Sequence, residues 1–250
     1  MFDLSGLQLR YEPYPIGLAK NIFPPDLYAE LAASYPPVSE FRYMPNLGRK
    51  YSLAEANNGR NYHRFLASTP VWKKFHDWVK SRDFLATIFR ALSDKGVPLG
   101  LEHHASGSLI TRQIGKYYEN RSLTSQLSYL NSRFEFSMMP GDGGYINPHT
   151  DAPHKLITLV VSMCREGEWD QAAGGGTAIV HPKDPKNYFN WNNRNLAFDD
   201  VDISTTWEFL PNQCIIFVKT FNSWHAVEPM RGGADALRKT LTINIERKWL

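Results

Sequence analysis

The chain is poor in cysteine, with two thiols in 250 residues. Two cannot build the multi-bridge framework that small secreted domains use in place of a core. Cys164 and Cys214 instead sit inside the apolar runs Val160–Cys164 and Cys214–Val218, where a free thiol packs as a small hydrophobe. An excess of either charge is also missing. Lys and Arg number 28 against 25 Asp and Glu, a net charge of +3, and the cations are scattered apart from short clusters such as Lys73-Lys74. Without a basic stripe to follow a phosphate backbone, no nucleic-acid partner is expected. No apolar run approaches the roughly 20 residues of a bilayer span, so no membrane association is expected. The opening Met1–Leu7 lacks the cationic start and apolar stretch of a secretory leader, which points to a reducing, cytoplasmic setting.

What is present is 42% hydrophobic and 13% aromatic residues, enough for one well-buried core. The first part reads as helical. Leu27–Ala32 follows Pro24-Pro25 and ends before Pro36-Pro37, and residues 42–62, rich in Gly and Asn, read as loop. Ser68-Thr69-Pro70 places a hydroxyl at the N-cap and proline at the first helical position. Behind it Val71, Trp72, Phe75, Trp78 and Val79 recur at helical spacing as a core stripe, and Phe84–Leu92 continues as a second helix. Beyond about residue 105 the period changes. Short β-branched and aromatic runs (Arg133–Met138, Leu156–Val161, Thr177–Val180, Cys214–Val218, Leu241–Ile245) alternate with Gly, Pro and Asn. Many short strands without helices between them predict a sandwich or barrel. Residues 182–206 form a polar insertion between strands, of the kind that serves as a lid or as surface decoration.

The chemistry lies in this second part. Met139-Pro-Gly-Asp-Gly-Gly-Tyr145-Ile-Asn-Pro-His149-Thr-Asp151 is answered by Ser223-Trp224-His225. Residues two apart on a strand share a face, so His149 and Asp151 can reach one metal ion while Thr150 points away. With His225 from another strand they form the 2-His-1-carboxylate set that holds non-haem Fe(II) and leaves positions open for chemistry. Arg238 and Thr240 share a face by the same rule, and a guanidinium beside a hydroxyl can hold a carboxylate by charge-assisted hydrogen bonds.

These motifs resemble the Fe(II)/2-oxoglutarate-dependent dioxygenases, and among them the prolyl-hydroxylase-like branch. The glycine turn Pro140–Tyr145 before His149-Thr-Asp151 carries the likeness. So do Gly174-Gly-Gly-Thr177, His225-Ala-Val-Glu-Pro229, Gly232 and Arg238-Lys-Thr240, over roughly residues 130 to 246. Tyr11–Pro15 and Asn21–Pro25 are similar to the openings of bacterial oxygenases of this type. The resemblance implies a mainly β double-stranded β-helix (a cupin-like jelly roll) as one domain over residues 1–250. Residues 1–104 would be a helical part packed on the sheet, and 105–250 the jelly-roll core. It further implies that His149, Asp151 and His225 bind Fe(II), and that Arg238 and Thr240 bind the distal carboxylate of 2-oxoglutarate. O2 would be the oxidant, ascorbate an optional reductant, and succinate and CO2 the products of a coupled hydroxylation. Halogenating relatives replace the carboxylate ligand, so Asp151 favours hydroxylation.

Met139 stands where many prolyl hydroxylases carry a tyrosine that helps to hold 2-oxoglutarate. The interval from His225 to Arg238 is also longer than in the family. Tyr145, Asn147, His181 and Trp224 are candidate substrate-pocket residues, with Lys155 a weaker one. His103, His104 and His154 read as ordinary loop or hydrogen-bonded histidines, and Gly174–Gly176 as a tight turn. The expected partner is a small molecule or peptide, whether a prolyl or other side chain, an amino acid or another metabolite. Two other readings stay open: a cupin-like metalloprotein using the triad without 2-oxoglutarate, and a non-enzymatic jelly-roll binding domain.

Overall fold

The computed structural model describes residues 1–99 and 130–247. Twelve strands form two antiparallel sheets among them. The larger contains β1 (Gln8–Arg10), β2 (Ile16–Lys20), β3 (Arg42–Met44), β4 (Lys50–Ala54), β5 (Leu130–Pro140), β7 (Lys155–Ser162), β10 (Gln213–Val218) and β12 (Leu237–Arg247). Their spatial order is β1-β2-β10-β7-β12-β5-β4-β3. The smaller holds β6 (Ile146–His149), β8 (Thr177–Pro182), β9 (Val201–Trp207) and β11 (His225–Val227), in the order β6-β11-β8-β9. The chain passes repeatedly between the two sheets, as in the double-stranded β-helix expected from the motifs.

Alternation along the strands assigns the two faces of the large sheet. Phe134, Phe136 and Met138 of β5, Leu159 and Val161 of β7, and Leu241, Ile243 and Ile245 of β12 all join the main core. Helices α1 (Pro25–Ala33), α2 (Glu55–Ser68), α3 (Pro70–Val79) and α4 (Arg82–Ser93) supply the other half of that core. The aromatic stripe of α3 packs as the periodicity predicts: Trp72 meets Phe136 with ring centroids 4.7 Å apart, and Phe75 meets Phe134 at 5.9 Å. The residues between these, Glu135, Ser137, Met139, Arg238, Thr240, Thr242 and Asn244, face the space between the sheets and line a cavity there.

The first part is less helical than its sequence suggests. Four of the eight strands in the large sheet, β1 to β4, come from it. Residues 42–62, expected as loop, contain β3, β4 and the start of α2. Pairing with β5 makes β4 a strand, and the Tyr43 and Tyr51 rings pack 4.8 Å apart across the β3–β4 ladder. The asparagines that suggested a loop bind across elements instead, Asn57 to Ser52 Oγ, and Asn58 and Asn61 to Glu40 O. Pro70 does open α3, but Thr69 forms no side-chain cap, and Ser68 Oγ donates back to Phe65 O because α2 runs up to it. The expected division near residue 105, with His103 and His104, lies outside the described residues. Both cysteines are buried and free. Among the described residues no helix is long and apolar enough to cross a membrane.

Candidate metal and co-substrate site

β6 and β11 pair with His149 directly opposite His225, which sets the two imidazole centroids 4.3 Å apart. Asp151 enters just past the end of β6. The ligand atoms of the three residues lie within 4.8 Å of one another. Both rings are oriented by backbone carbonyls: His149 Nδ1 lies 2.9 Å from Asn147 O, and His225 Nδ1 lies 2.9 Å from Ser223 O. A carbonyl oxygen only accepts, so each ring places its proton on Nδ1 and leaves the Nε2 lone pair free, which is the tautomer a metal requires. Burial pushes both imidazoles down, His225 to about 3 with His149 adding to the effect, so both are neutral.

Asp151 is buried as well, and burial alone would raise its carboxyl. Lys155, by its charge and its hydrogen bond, overcomes that and holds it well below the usual carboxylate range. Lys155 Nζ donates to Oδ1 at 2.6 Å, and Thr158 Oγ1 donates to Oδ2 at 2.5 Å. The Asn244 amide, on the ladder partner of Thr158, lies 2.8 Å from that hydroxyl. Two neutral nitrogens and one carboxylate, each oriented by a second hydrogen bond, fit a divalent iron and leave it with open positions.

The same cavity contains Arg238 and Thr240, and its enclosed volume is about 140 Å³. Arg238 is buried, and among the described residues no carboxylate lies within ion-pair distance of it. Its Nε donates to Gly175 O at 2.5 Å, and its guanidinium lies 4.3 Å from the centre of the Phe209 ring. Burial lowers it to about 10. A buried guanidinium without an anion carries a desolvation penalty that a bound carboxylate would offset. Thr240 Oγ1 lies 3.2 Å from Ser137 Oγ, so two hydroxyls stand beside the guanidinium strand. Gly175 (φ +84°) permits this arrangement, since a Cβ there would lie 3.2 Å from Arg238 Cδ. The glycine run expected as a simple turn therefore also seats the arginine. Met139 faces Arg238 across the β5–β12 ladder and lines the cavity where a tyrosine hydroxyl was missing from the sequence.

The candidate substrate residues fare differently. Tyr145 and Asn147 do not line the cavity; Ile146 and His149 do. Val227 pairs with Ile146 and His225 with His149, so β6 contains one residue more than β11 over this interval. That bulge breaks the two-residue alternation on which Tyr145 and Asn147 were placed. His181 lies beyond Ile179 in a separate surface groove with Arg10, Glu12 and Ser204. Trp224 precedes His225 and so points to the opposite face, where it packs with Ala178, Val180, Val201 and Ala226. Lys155, the weaker candidate, does line the cavity. Thr158, Ser137, Lys50, Glu135 and Asn244 were not singled out, and all five line the cavity. Lys50 Nζ lies 2.6 Å from Glu135 Oε1, which also accepts from Ser52 Oγ at 2.8 Å.

The insertion lies behind the metal strands. Leu196 N donates to Pro148 O at 2.9 Å, one residue before His149. Trp224 Nε1 donates to Tyr188 O at 2.9 Å, one residue before His225. Within the loop, buried Asn190 closes on Arg194 through two hydrogen bonds.

A family model described as the 2OG-Fe(II) oxygenase superfamily matches residues 134–246. No curated protein matches the chain. Among solved structures it is similar to a Pseudomonas putida prolyl-4-hydroxylase, at 13% identity and TM-score 0.46 over 93% of this chain and 92% of that one. It is similar to a Trichoplax adhaerens prolyl hydroxylase in complex with a hypoxia inducible factor peptide, at 12% identity and TM-score 0.46 over 93% and 83%. A third is the non-heme alpha ketoglutarate dependent epimerase SnoN from nogalamycin biosynthesis, at 13% identity and TM-score 0.47 over 93% and 78%. The matched segment contains every residue of the cavity described above except Lys50, so the likeness to the 2OG-Fe(II) oxygenase superfamily rests on the part of the chain that forms the site.

Proposed function

We propose that the protein is a 2-oxoglutarate-dependent dioxygenase of the prolyl-hydroxylase-like branch that hydroxylates an unactivated C–H bond. One observation carries the reading: a single cavity has three convergent metal-ligand atoms at one end and, at the other, a buried guanidinium with no carboxylate of its own. His149, Asp151 and His225 would hold Fe(II), while Arg238 and Thr240 would hold the distal carboxylate of 2-oxoglutarate. With O2 the iron supplies oxidative decarboxylation to succinate and CO2, coupled to hydroxylation, and ascorbate would keep it ferrous.

The chain's own residues prepare that chemistry. The Asn147 and Ser223 carbonyls fix the two imidazole tautomers, and Lys155 and Thr158 keep Asp151 ionised and in place. Gly175 O and the Phe209 ring hold Arg238 where water has little access. The buried arginine is what disfavours a metalloprotein working without 2-oxoglutarate, since it would then stay unpaired. Residues 1–250 are read as one such oxygenase domain, acting in the reducing cytoplasm that suits ferrous iron.

Under anaerobic conditions the Fe(II)-loaded protein is expected to develop a weak visible charge-transfer band when 2-oxoglutarate is added. Absence of the band, with iron shown to be bound, would overturn the co-substrate assignment.

A further inference from the structure

Among the described residues that line the cavity, the charged ones are the cations Lys50, Lys155 and Arg238 and the carboxylates Glu135 and Asp151. His149 and His225 are neutral when they serve as metal ligands. Lys50 and Glu135 form one matched pair, with Nζ 2.6 Å from Oε1. Lys155 and Asp151 form a second, with Nζ 2.6 Å from Oδ1. The cavity therefore holds one cation more than it holds carboxylates, and in the metal-free protein that cation is Arg238.

Fe(II) and 2-oxoglutarate carry equal and opposite charge, so loading the site with both leaves the same excess but moves it. Arg238 is then matched by the distal carboxylate, Lys50 keeps Glu135, and Asp151 is committed to the metal. Lys155 is left over, because Asp151 is its one ion-pair partner among the described residues. Glu246 is its ladder partner, but it lies beyond ion-pair distance and does not line the cavity. Lys219 adds a second positive charge on the other side of the metal strand. It is half-buried, its Nζ lies 3.3 Å from Thr150 Oγ1, and among the described residues no carboxylate lies within ion-pair distance of it. A cation drawn out of water without an anion is costly, so the loaded site favours a ligand of negative charge.

We propose that the primary substrate is a small monocarboxylate whose carboxylate is held by Lys155 at the mouth of the cavity. This rests on the oxygenase reading and narrows its substrate. One negative charge makes the loaded cavity neutral, whereas a phosphate ester, at about −1.5 to −2, would overshoot. The position agrees. Arg238 is only 3% exposed, whereas the Lys155 side chain is 17% exposed while lining the same cavity, so a ligand arriving from solvent can reach it. Size agrees as well: ligand pockets commonly enclose roughly 300–1,000 Å³. Here about 140 Å³ must serve both co-substrate and the reacting part of the substrate. A prolyl residue within a peptide brings no carboxylate to that mouth.

The test uses anaerobic protein with excess Fe(II) and saturating 2-oxoglutarate, and reads the visible band. Acetate, propionate, butyrate and benzoate are titrated in singly, each beside its primary amide, with methyl phosphate and propylammonium as further probes. At least one carboxylate should perturb the band, with a midpoint at least roughly tenfold below that of its amide, as a charged partner gives. Raising 2-oxoglutarate should leave that midpoint unchanged, which separates Lys155 from the cation of the co-substrate. Lys155→Met should remove the preference for carboxylate over amide, and Lys155→Arg should keep it; the excess Fe(II) offsets any loss of metal affinity in these variants. The proposal is overturned if no carboxylate perturbs the band, or if the amides, methyl phosphate or propylammonium act as well. It is equally overturned if 2-oxoglutarate displaces the carboxylate, or if Lys155→Met retains the preference. If the band never forms with iron bound to the parent protein, it is the oxygenase reading that has failed.

Discussion

The two sheets divide the work of the site unequally. The four-stranded sheet carries both histidines on short strands, three residues for β11 and four for β6. The eight-stranded sheet carries Arg238, Thr240, Asn244 and Thr158 on long strands backed by the aromatic core of the helices. On the proposed reading, metal ligation would depend on a small, locally braced element, whereas carboxylate binding would depend on a wall that the whole core stabilises. Metal binding, co-substrate binding and stability should therefore separate under mutation.

The largest expected effect is on the metal side. Asp151→Ala should abolish iron retention and succinate formation, read by metal content and product assay, with little change in far-UV circular dichroism; undiminished turnover would remove Asp151 from the ligand set. Next, on the other sheet, Phe136→Ala should lower stability by about 3–5 kcal/mol, as expected for deleting a buried aromatic side chain. Denaturant unfolding reads this, and iron affinity of the folded fraction should stay the same.

Arg238→Met crosses the comparison. It should raise the 2-oxoglutarate requirement roughly a hundredfold, since losing one partner of a buried charged pair costs about 2–5 kcal/mol. Without co-substrate the same variant should melt no lower than the parent, because an uncompensated buried cation has been replaced by an apolar chain. A large drop in melting temperature would show that Arg238 already has a structural partner. The smallest effect is expected for Thr240→Val, a few-fold rise in the 2-oxoglutarate KM from one hydrogen bond worth about 0.5–1.5 kcal/mol. An unchanged KM would assign that contact to Ser137 alone.

What could be read from the sequence follows the range of the rules used. His149 and Asp151 lie two residues apart and so do Arg238 and Thr240, and the structure lines each pair along the same cavity. The same rule failed for Tyr145 and Asn147 because a single extra residue in β6 shifts the register, and nothing local announces a bulge. Trp224 was placed in the pocket although alternation from His225 sends it outward. His181 fails for another reason, since the rule gives a face but not a position along it. Glu135 and Lys50 come to the cavity only through the pairing of strands distant in sequence, whereas Lys155 and Thr158 reach Asp151 from the next strand, where the chain has crossed to the other sheet. The strands of the first part were hidden for a similar reason: β1 and β3 are three residues each and take their conformation from a neighbour.

One loop holds the residue just before each histidine, Pro148 by its carbonyl through Leu196 and Trp224 by its indole N–H through Tyr188. The two imidazoles consequently share an anchor, and slack in that loop moves both nitrogens together rather than one at a time. If the triad binds iron as proposed, its affinity would become a gauge of loop order. A disturbance at the exposed surface of Tyr188, Phe189 and Trp191 would loosen both imidazoles in step, with Asp151, held by Lys155 and Thr158, the last of the three to yield.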